Sequence, residues 1–202
     1  MAENYASIAF GKEAKKLQEK FGSRNMYARM EKQSSFEGFT PNEELFIAER
    51  DSFYMASIGE NGFPYIQHRG GAKGFLKVFD ENTLIFPDFK GNKQYISVGN
   101  LTTNNKVALF LMDYPHKARL KIYANAKILD LKENPEFAQT FTDLKTERLI
   151  KLNVEAHDWN CPQYITQRFS IDEIQQIFSP KLELIEQLKL ENKQLKEALA
   201  RK

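Results

Sequence analysis

The stretch Ser52–Phe75, SFYMASIGENGFPYIQHRGGAKGF, decides the fold. It opens with two strand-like runs, SFYMASI and FPYIQHR, around the turn GENG. A basic, glycine-rich segment, QHRGGAKGF, follows at once. Downstream the pattern repeats: GFLKVFD and TLIFPDF flank DEN, which reads as a second hairpin. KVALFLMD is a short apolar run of the kind a buried strand carries. ARLKIYANAKILDL alternates through Leu120, Ile122, Ala124, Ala126 and Ile128, and RLIKLNVEAHDW through Ile150, Leu152, Val154 and Ala156. Alternation of period two marks strands with one buried face. Six or seven strands with short turns predict a mainly β domain with flanking helices, built as a closed or nearly closed antiparallel barrel.

Helices are expected around and within this strand region. Phe10 to about Lys32 is rich in Lys, Glu, Leu and Ala. Thr40, Pro41 and Glu43 form a helix start: a cap, a first-turn proline and a capping box. GNKQYISVGNL reads as a helix capped by Asn92, with Gly91 turning the chain into it. Asn134 and Pro135 open another in ENPEFAQTF. Ser170 and Glu173 form a second capping box, and Pro180 is expected to end that helix. From Lys181 onward, Ile185, Leu188, Asn192, Leu195 and Leu199 fall at a and d positions of a heptad. Two readings of this tail stay open: a coiled coil, or a helix packed on its own domain through Leu182, Leu184, Leu188 and Leu190. The organisation expected is a helical segment at 1–39, the barrel at 40–169 and a helical extension at 170–202.

Composition excludes several classes of function. Twenty-nine Lys and Arg against 27 Asp and Glu leave a formal charge of +2, too balanced for general nucleic-acid or membrane affinity. No apolar run approaches the roughly 18 residues of a membrane span. MAENYASIAFGKEAKKL has charges and no apolar signal region, and the single cysteine, Cys161, admits no internal disulfide. Both features point to a cytoplasmic protein. His68, His116 and His157 show no metal-ligand spacing, so no metal site is expected.

QHRGGAKGF admits two readings, a basic surface turn or one half of an anion cradle, and the same holds for KGNKQ downstream. Arg69 offers a planar fork for two phosphate oxygens, Gly70 and Gly71 let the backbone approach, and Lys73 adds charge. KGNKQ supplies the other half: a helix N-terminus with unpaired N–H groups and Lys93 in its first turn. A cation is unfavourable there unless an anion lies between it and the helix. Cys161 beside Trp159 and Pro162, and His157 at a strand end, read as packing residues.

The segment Arg50–Leu101, together with LFLMDYPHKARLKIYANAKI and EAHDWNCPQYITQRF, resembles the pyridoxamine 5'-phosphate oxidase-like family of FMN-binding split barrels. The resemblance runs from about Thr40 to Phe169. It implies an α+β fold with a six- to seven-stranded antiparallel split β-barrel of the FMN-binding type, forming a homodimer with FMN at the interface. It further implies that Arg69 reaches the flavin phosphate and that Asn92 and Lys93 form the basic turn beside it. Gln67 and His68 would reach the ribityl chain or the ring edge, with Gly70, Lys73 and Ser97 nearby. Trp159, Gln163 and Arg168 match the part that reaches the partner protomer's flavin. The pyridoxamine phosphate-binding motif of the true oxidases, which contains arginine and histidine, has no counterpart after Arg168. The resemblance thus implies an FMN-dependent oxidoreductase of unassigned substrate and electron donor. A non-catalytic cofactor-binding module is the alternative, and haem handling through His157 is a third reading.

Overall fold

The computed structural model describes residues 4–32, 36–138, 140–141, 146–159 and 161–200. They fall into two compact units: Met1–Asp113 with Ala118–Gln163, and Tyr114–Lys117 with Tyr164–Lys202.

The first unit is built on seven antiparallel strands: β1 (Ser52–Ile58), β2 (Pro64–Gly70), β3 (Lys77–Asp80), β4 (Thr83–Phe89), β5 (Lys106–Asp113), β6 (Ala118–Leu129) and β7 (Thr146–Trp159). Their order in the sheet is β2-β1-β5-β6-β7-β4-β3. β2 and β3 lie at opposite edges of that order, yet the sheet rolls until its ends meet. Arg69 of β2 donates to Asp88 of β4 at 2.5 Å, and Phe53 of β1 meets Phe86 of β4 edge-on at 5.1 Å. The result is the split barrel: continuous pairing through the middle, side-chain contact across the gap.

The strand patterns explain the core. Phe53, Met55, Val107, Leu109, Leu111, Leu120, Ile122, Leu152 and Val154 face inward and are buried together. β4 is buried at six consecutive residues, Thr83–Asp88. Pro87 sits where β4 has only β7 beside it, because β3 pairs no further than Ile85; there a missing N–H disturbs no second ladder. The GENG turn closes as expected, with the Gly62 N–H on the Gly59 carbonyl and Gly62 at φ +79°.

Among the described residues before Thr40 there are three helices where one was expected: α1 (Tyr5–Ala9), α2 (Lys12–Lys20) and α3 (Arg24–Met30). Gly11 stands at the first break, and Gly22, at φ +75°, follows the end of α2. α4 (Pro41–Ala48) begins with the expected capping box. Its Glu43 carboxylate accepts from the Thr40 N–H at 3.0 Å and also from the Trp159 indole N–H at 2.6 Å, tying the box to the end of β7. α5 (Ile96–Thr103) starts four residues later than Asn92. Asn92 instead accepts from the Gln94 N–H, forming a local turn. α6 is a single turn, Pro135–Ala138.

In the second unit α7 spans Ile171–Ala200 and opens on the expected Ser170–Glu173 box. It runs straight on through Pro180, which was expected to end it. The preceding Ser179 hydroxyl bonds the Gln175 carbonyl at 2.7 Å, a local bond of the sort that accompanies irregular turns. No side chain of α7 is buried among the described residues.

Candidate functional site

β2 and the Lys90–Tyr95 loop meet at a polar cleft. Burial on β2 alternates, so Tyr65, Gln67 and Arg69 share its inner face. Opposite them stand Asp88 at the end of β4, the loop Gly91–Tyr95, and the first turn of α5. The cleft has a volume of about 100 Å³. That suits one phosphate-sized group and falls below the roughly 300–1,000 Å³ of a whole cofactor pocket. A neighbouring hollow of about 660 Å³ shares Tyr65, Gln94, Tyr95 and Ile96 as its wall.

The loop is held in an unusual shape. Lys93 and Tyr95 adopt left-handed φ values of +63° and +52°, which side chains bearing a Cβ rarely take. Such residues cluster at binding sites, where the surrounding structure holds them. Tyr95 is also the N-cap of α5 and supplies no side-chain cap. The first N–H groups of a helix have no partner within it, and Ile96, Ser97 and Val98, the first residues of α5, are among those lining the cleft. Lys93 is exposed and makes no ion pair among the described residues.

The charges around the cleft nearly cancel. Arg69 is committed to Asp88, and the Arg148 Nε lies 3.5 Å from the other Asp88 oxygen. Arg148 also pairs with Glu147 at 2.7 Å and lies over the Tyr95 ring. These two arginines and two carboxylates balance, which leaves Lys93 as the cation without an ion pair among the described residues lining the cleft. The Arg69 Nε is buried without a partner among the described residues. Ser97 is buried and donates to the Gln67 side-chain oxygen at 2.6 Å, fastening α5 to β2. Asn100 does the same from α5 to Ser57 of β1 at 3.0 Å.

Of the residues singled out in the sequence, Gln67, Arg69, Asn92, Lys93 and Ser97 line this cleft. The others lie elsewhere. His68 falls on the outer face of β2, against Tyr54, because alternate residues of a strand face opposite ways. Gly70 pairs with Ser52 at the strand end. Neither Gly70 nor Gly71 has positive φ. A Cβ on Gly71 would sit 2.7 Å from the Phe75 ring, so this glycine makes room for Phe75. Lys73 is exposed in the β2–β3 loop. Trp159 is bound to Glu43 and packs edge-on against Phe46. Gln163 is exposed, its N–H on the Cys161 sulfur at 3.5 Å. Arg168 belongs to the second unit, where it lies over Tyr114.

Sequence reasoning missed Asp88, Glu147, Arg148 and Tyr95. Asp88 left a readable signal: a lone carboxylate in the apolar run TLIFPDF needs a cationic partner. The other three left none, since only barrel closure brings β7 and the loop beside Arg69.

A second polar cluster lies at the end of β7. His157 stacks near Phe39 and meets Phe36 edge-on. Burial holds its pKa below the usual histidine value, against the pull of Glu43 and Asp158. Burial pushes the Glu43 carboxyl up, but hydrogen bonds from Thr40 and Trp159, with His157 nearby, outweigh it and hold the group below the usual carboxylate range. Among the described residues no three His, Cys, Asp or Glu converge as metal ligands, and no helix is long and apolar enough to cross a membrane.

A split barrel with a polar cleft of this kind defines a class, and the sequence agrees with it. The family model of pyridoxamine 5'-phosphate oxidase matches residues 39–160, and the chain belongs to that family. No curated protein matches the sequence. Solved structures similar to it include a candidate pyridoxamine 5'-phosphate oxidase from Lactobacillus delbrueckii, at 20% identity and TM-score 0.48 over 60% of this chain and 93% of that one. An FMN-binding protein from Syntrophomonas wolfei is 14% identical, with TM-score 0.43 over 58% of this chain and 82% of the other. HutZ, the haem storage protein of Vibrio cholerae, is 16% identical, with TM-score 0.41 over 57% and 89%.

Proposed function

We propose that this chain is a homodimeric flavoprotein that binds FMN through the cleft at β2 and α5, and that it works as an FMN-dependent oxidoreductase in the cytoplasm. The observation that carries the reading is Lys93. It is a cation without an ion pair among the described residues, on a left-handed loop beside a helix start with no side-chain cap. An anion there would meet a positive charge and free backbone N–H donors together. Lys93, Asn92 and the α5 N-terminus would hold the phosphate, with Arg69 behind them and Gln67 beside it. The adjoining hollow, walled by Tyr65 and Tyr95, has room for the rest of the cofactor. Bound FMN would supply hydride-level and single-electron chemistry. The protein's own part is to bind and orient.

Asp88 and Glu147, the two carboxylates of the cleft, are both engaged by arginine. No unpaired carboxylate and no histidine stands among the described cleft residues. That observation also favours the second reading, a module that holds FMN without turning it over. For the homodimer, the outer face of β1 and β2 offers Tyr54, Ile58 and Ile66 as exposed apolar side chains, with Phe63 at the turn between them. A second copy is the occupant that the family resemblance supplies. His68 lies on this outer face as well, and Trp159, Gln163 and Arg168 would meet the flavin only from the partner protomer.

Lys93→Ala tests the binding reading. Ala has a Cβ like Lys and so keeps the backbone demand at this left-handed position, while the ammonium and its aliphatic stem are removed. A charge-assisted contact contributes about 1.5–3 kcal/mol, so FMN affinity should fall roughly ten- to a hundredfold. Riboflavin, which lacks the phosphate, should bind as weakly to the variant as to the wild type. Equal losses for both ligands would mean that Lys93 shapes the loop and reads no phosphate. Bleaching of the bound flavin by reduced nicotinamide under anaerobic conditions separates the oxidoreductase from the storage module.

A further inference from the structure

α7 carries eleven large apolar side chains that are exposed, and none of its residues is buried. A helix with so much uncovered apolar surface marks an interaction site. Because it continues through Pro180, its heptad is longer than the tail alone suggests. Ile171, Phe178, Ile185, Asn192 and Leu199 occupy a positions; Ile174, Lys181, Leu188 and Leu195 occupy d positions. Pro180 falls at c, turned away from that seam. Ile177 and Leu184 at g and Leu182 at e widen the apolar face in the first half. In the second half the flanks are charged: Glu191 at g, Lys189 and Lys196 at e.

Those flanks select the partner and its direction. In a parallel pair, the g residue of one helix faces the e residue of the next heptad on the other. Glu191 then meets Lys196 of the second copy, twice by symmetry. In an antiparallel pair e faces e, which brings the lysines at 189 and 196 against like charge. The polar layer agrees. In a parallel, in-register pair Asn192 faces Asn192, so one amide donates to the other. In an antiparallel pair it would face a d residue, Ile, Leu or Lys, and lose that partner. A single a-position Asn fixes register and strand number at some cost in stability.

We propose that α7 forms a parallel, in-register, two-stranded coiled coil with α7 of a second copy of this chain. The inference rests on α7 alone and not on FMN binding.

Disulfide trapping in the full-length protein tests it. In a Cys161→Ser background, Leu195→Cys places a thiol at d, Leu199→Cys at a, and Leu190→Cys at the outward f position. Oxidised glutathione is added at micromolar protein, and non-reducing electrophoresis follows the product. A parallel, in-register coil gives a band of twice the chain mass from the 195 and 199 variants, at least tenfold faster than from the 190 variant. In the Leu195→Cys chain, Lys196→Glu should slow trapping, and adding Glu191→Lys should restore it. Similar rates at all three positions, or no trapping at 195 and 199, would overturn the proposal; an antiparallel pair gives the second pattern. Loss of flavin binding with trapping intact would refute only the reading of the cleft.

Discussion

Asp88 is the residue that works against an anion in the cleft, which gives a prediction with an unusual sign. It holds Arg69 at 2.5 Å and lies 3.5 Å from Arg148. Asp88→Asn keeps an oxygen to accept from Arg69 and removes the negative charge. An anion confined to a cleft of about 100 Å³ lies within about 6 Å of this carboxylate. At that separation two unit charges repel by about 0.7 kcal/mol in water and about 2.8 kcal/mol at an effective dielectric of about 20. A cleft open to solvent falls between these limits, so FMN binding should strengthen by about 1–2 kcal/mol, roughly five- to thirtyfold. Riboflavin should not respond. The fold should lose about 1–2 kcal/mol, because a neutral acceptor replaces a charged one. For a chain of this length that lowers Tm by roughly 2–8 °C. Quenching of flavin fluorescence measures both affinities, and calorimetry measures Tm. Weaker FMN binding, or an equal gain for riboflavin, would refute the reasoning. The first result would mean that Asp88 matters for aiming Arg69; the second would mean that the phosphate lies elsewhere.

Further outcomes follow from other parts of the barrel. Gly71→Ala drives a Cβ to within 2.7 Å of the Phe75 ring, and such overpacking costs about 1–3 kcal/mol. Tm should drop by roughly 2–12 °C with FMN affinity unchanged; a selective loss of FMN would return this glycine to the phosphate site. His157 has a folded pKa below its unfolded one, so the unfolded chain takes up the proton first. Its contribution is intact above the ordinary histidine value and is lost as pH falls below it, so His157→Gln should flatten the dependence of Tm on pH between about 5 and 7. A variant with the wild-type slope would show that another group sets it. Trp159→Phe deprives Glu43 of its indole donor and should cost about 1–3 kcal/mol, read by urea unfolding. Light scattering at micromolar concentration should return twice the 23.5 kDa chain mass; a clean monomer would count against the homodimer.

Local chemistry determined most of the elements. Strand-like runs around the GENG turn placed β1 and β2, period-two alternation placed β6 and β7, and the Thr40–Glu43 and Ser170–Glu173 boxes placed the starts of α4 and α7. These signals act over a few residues, so the sequence carries them openly. Where short-range rules misled, the deciding contact was distant or the local preference was overridden. Asn92 is a good cap, yet the chain stays irregular through two left-handed residues before α5 begins. An interior proline usually breaks or kinks a helix, but here the helical turns on both sides continue through Pro180. The motif QHRGGAKGF shows the division most sharply. Sequence order set Arg69, Gly70, Gly71 and Lys73 side by side as one cradle. Strand pleating sends Arg69 inward and His68 outward, and Phe75 claims the space beside Gly71. The rolling of the sheet alone decides that Arg69 meets Asp88 from β4 and that Arg148 from β7 stands behind it. Side-chain identity fixes what a residue can bind, while pairing between residues far apart in the chain fixes which neighbour takes it first.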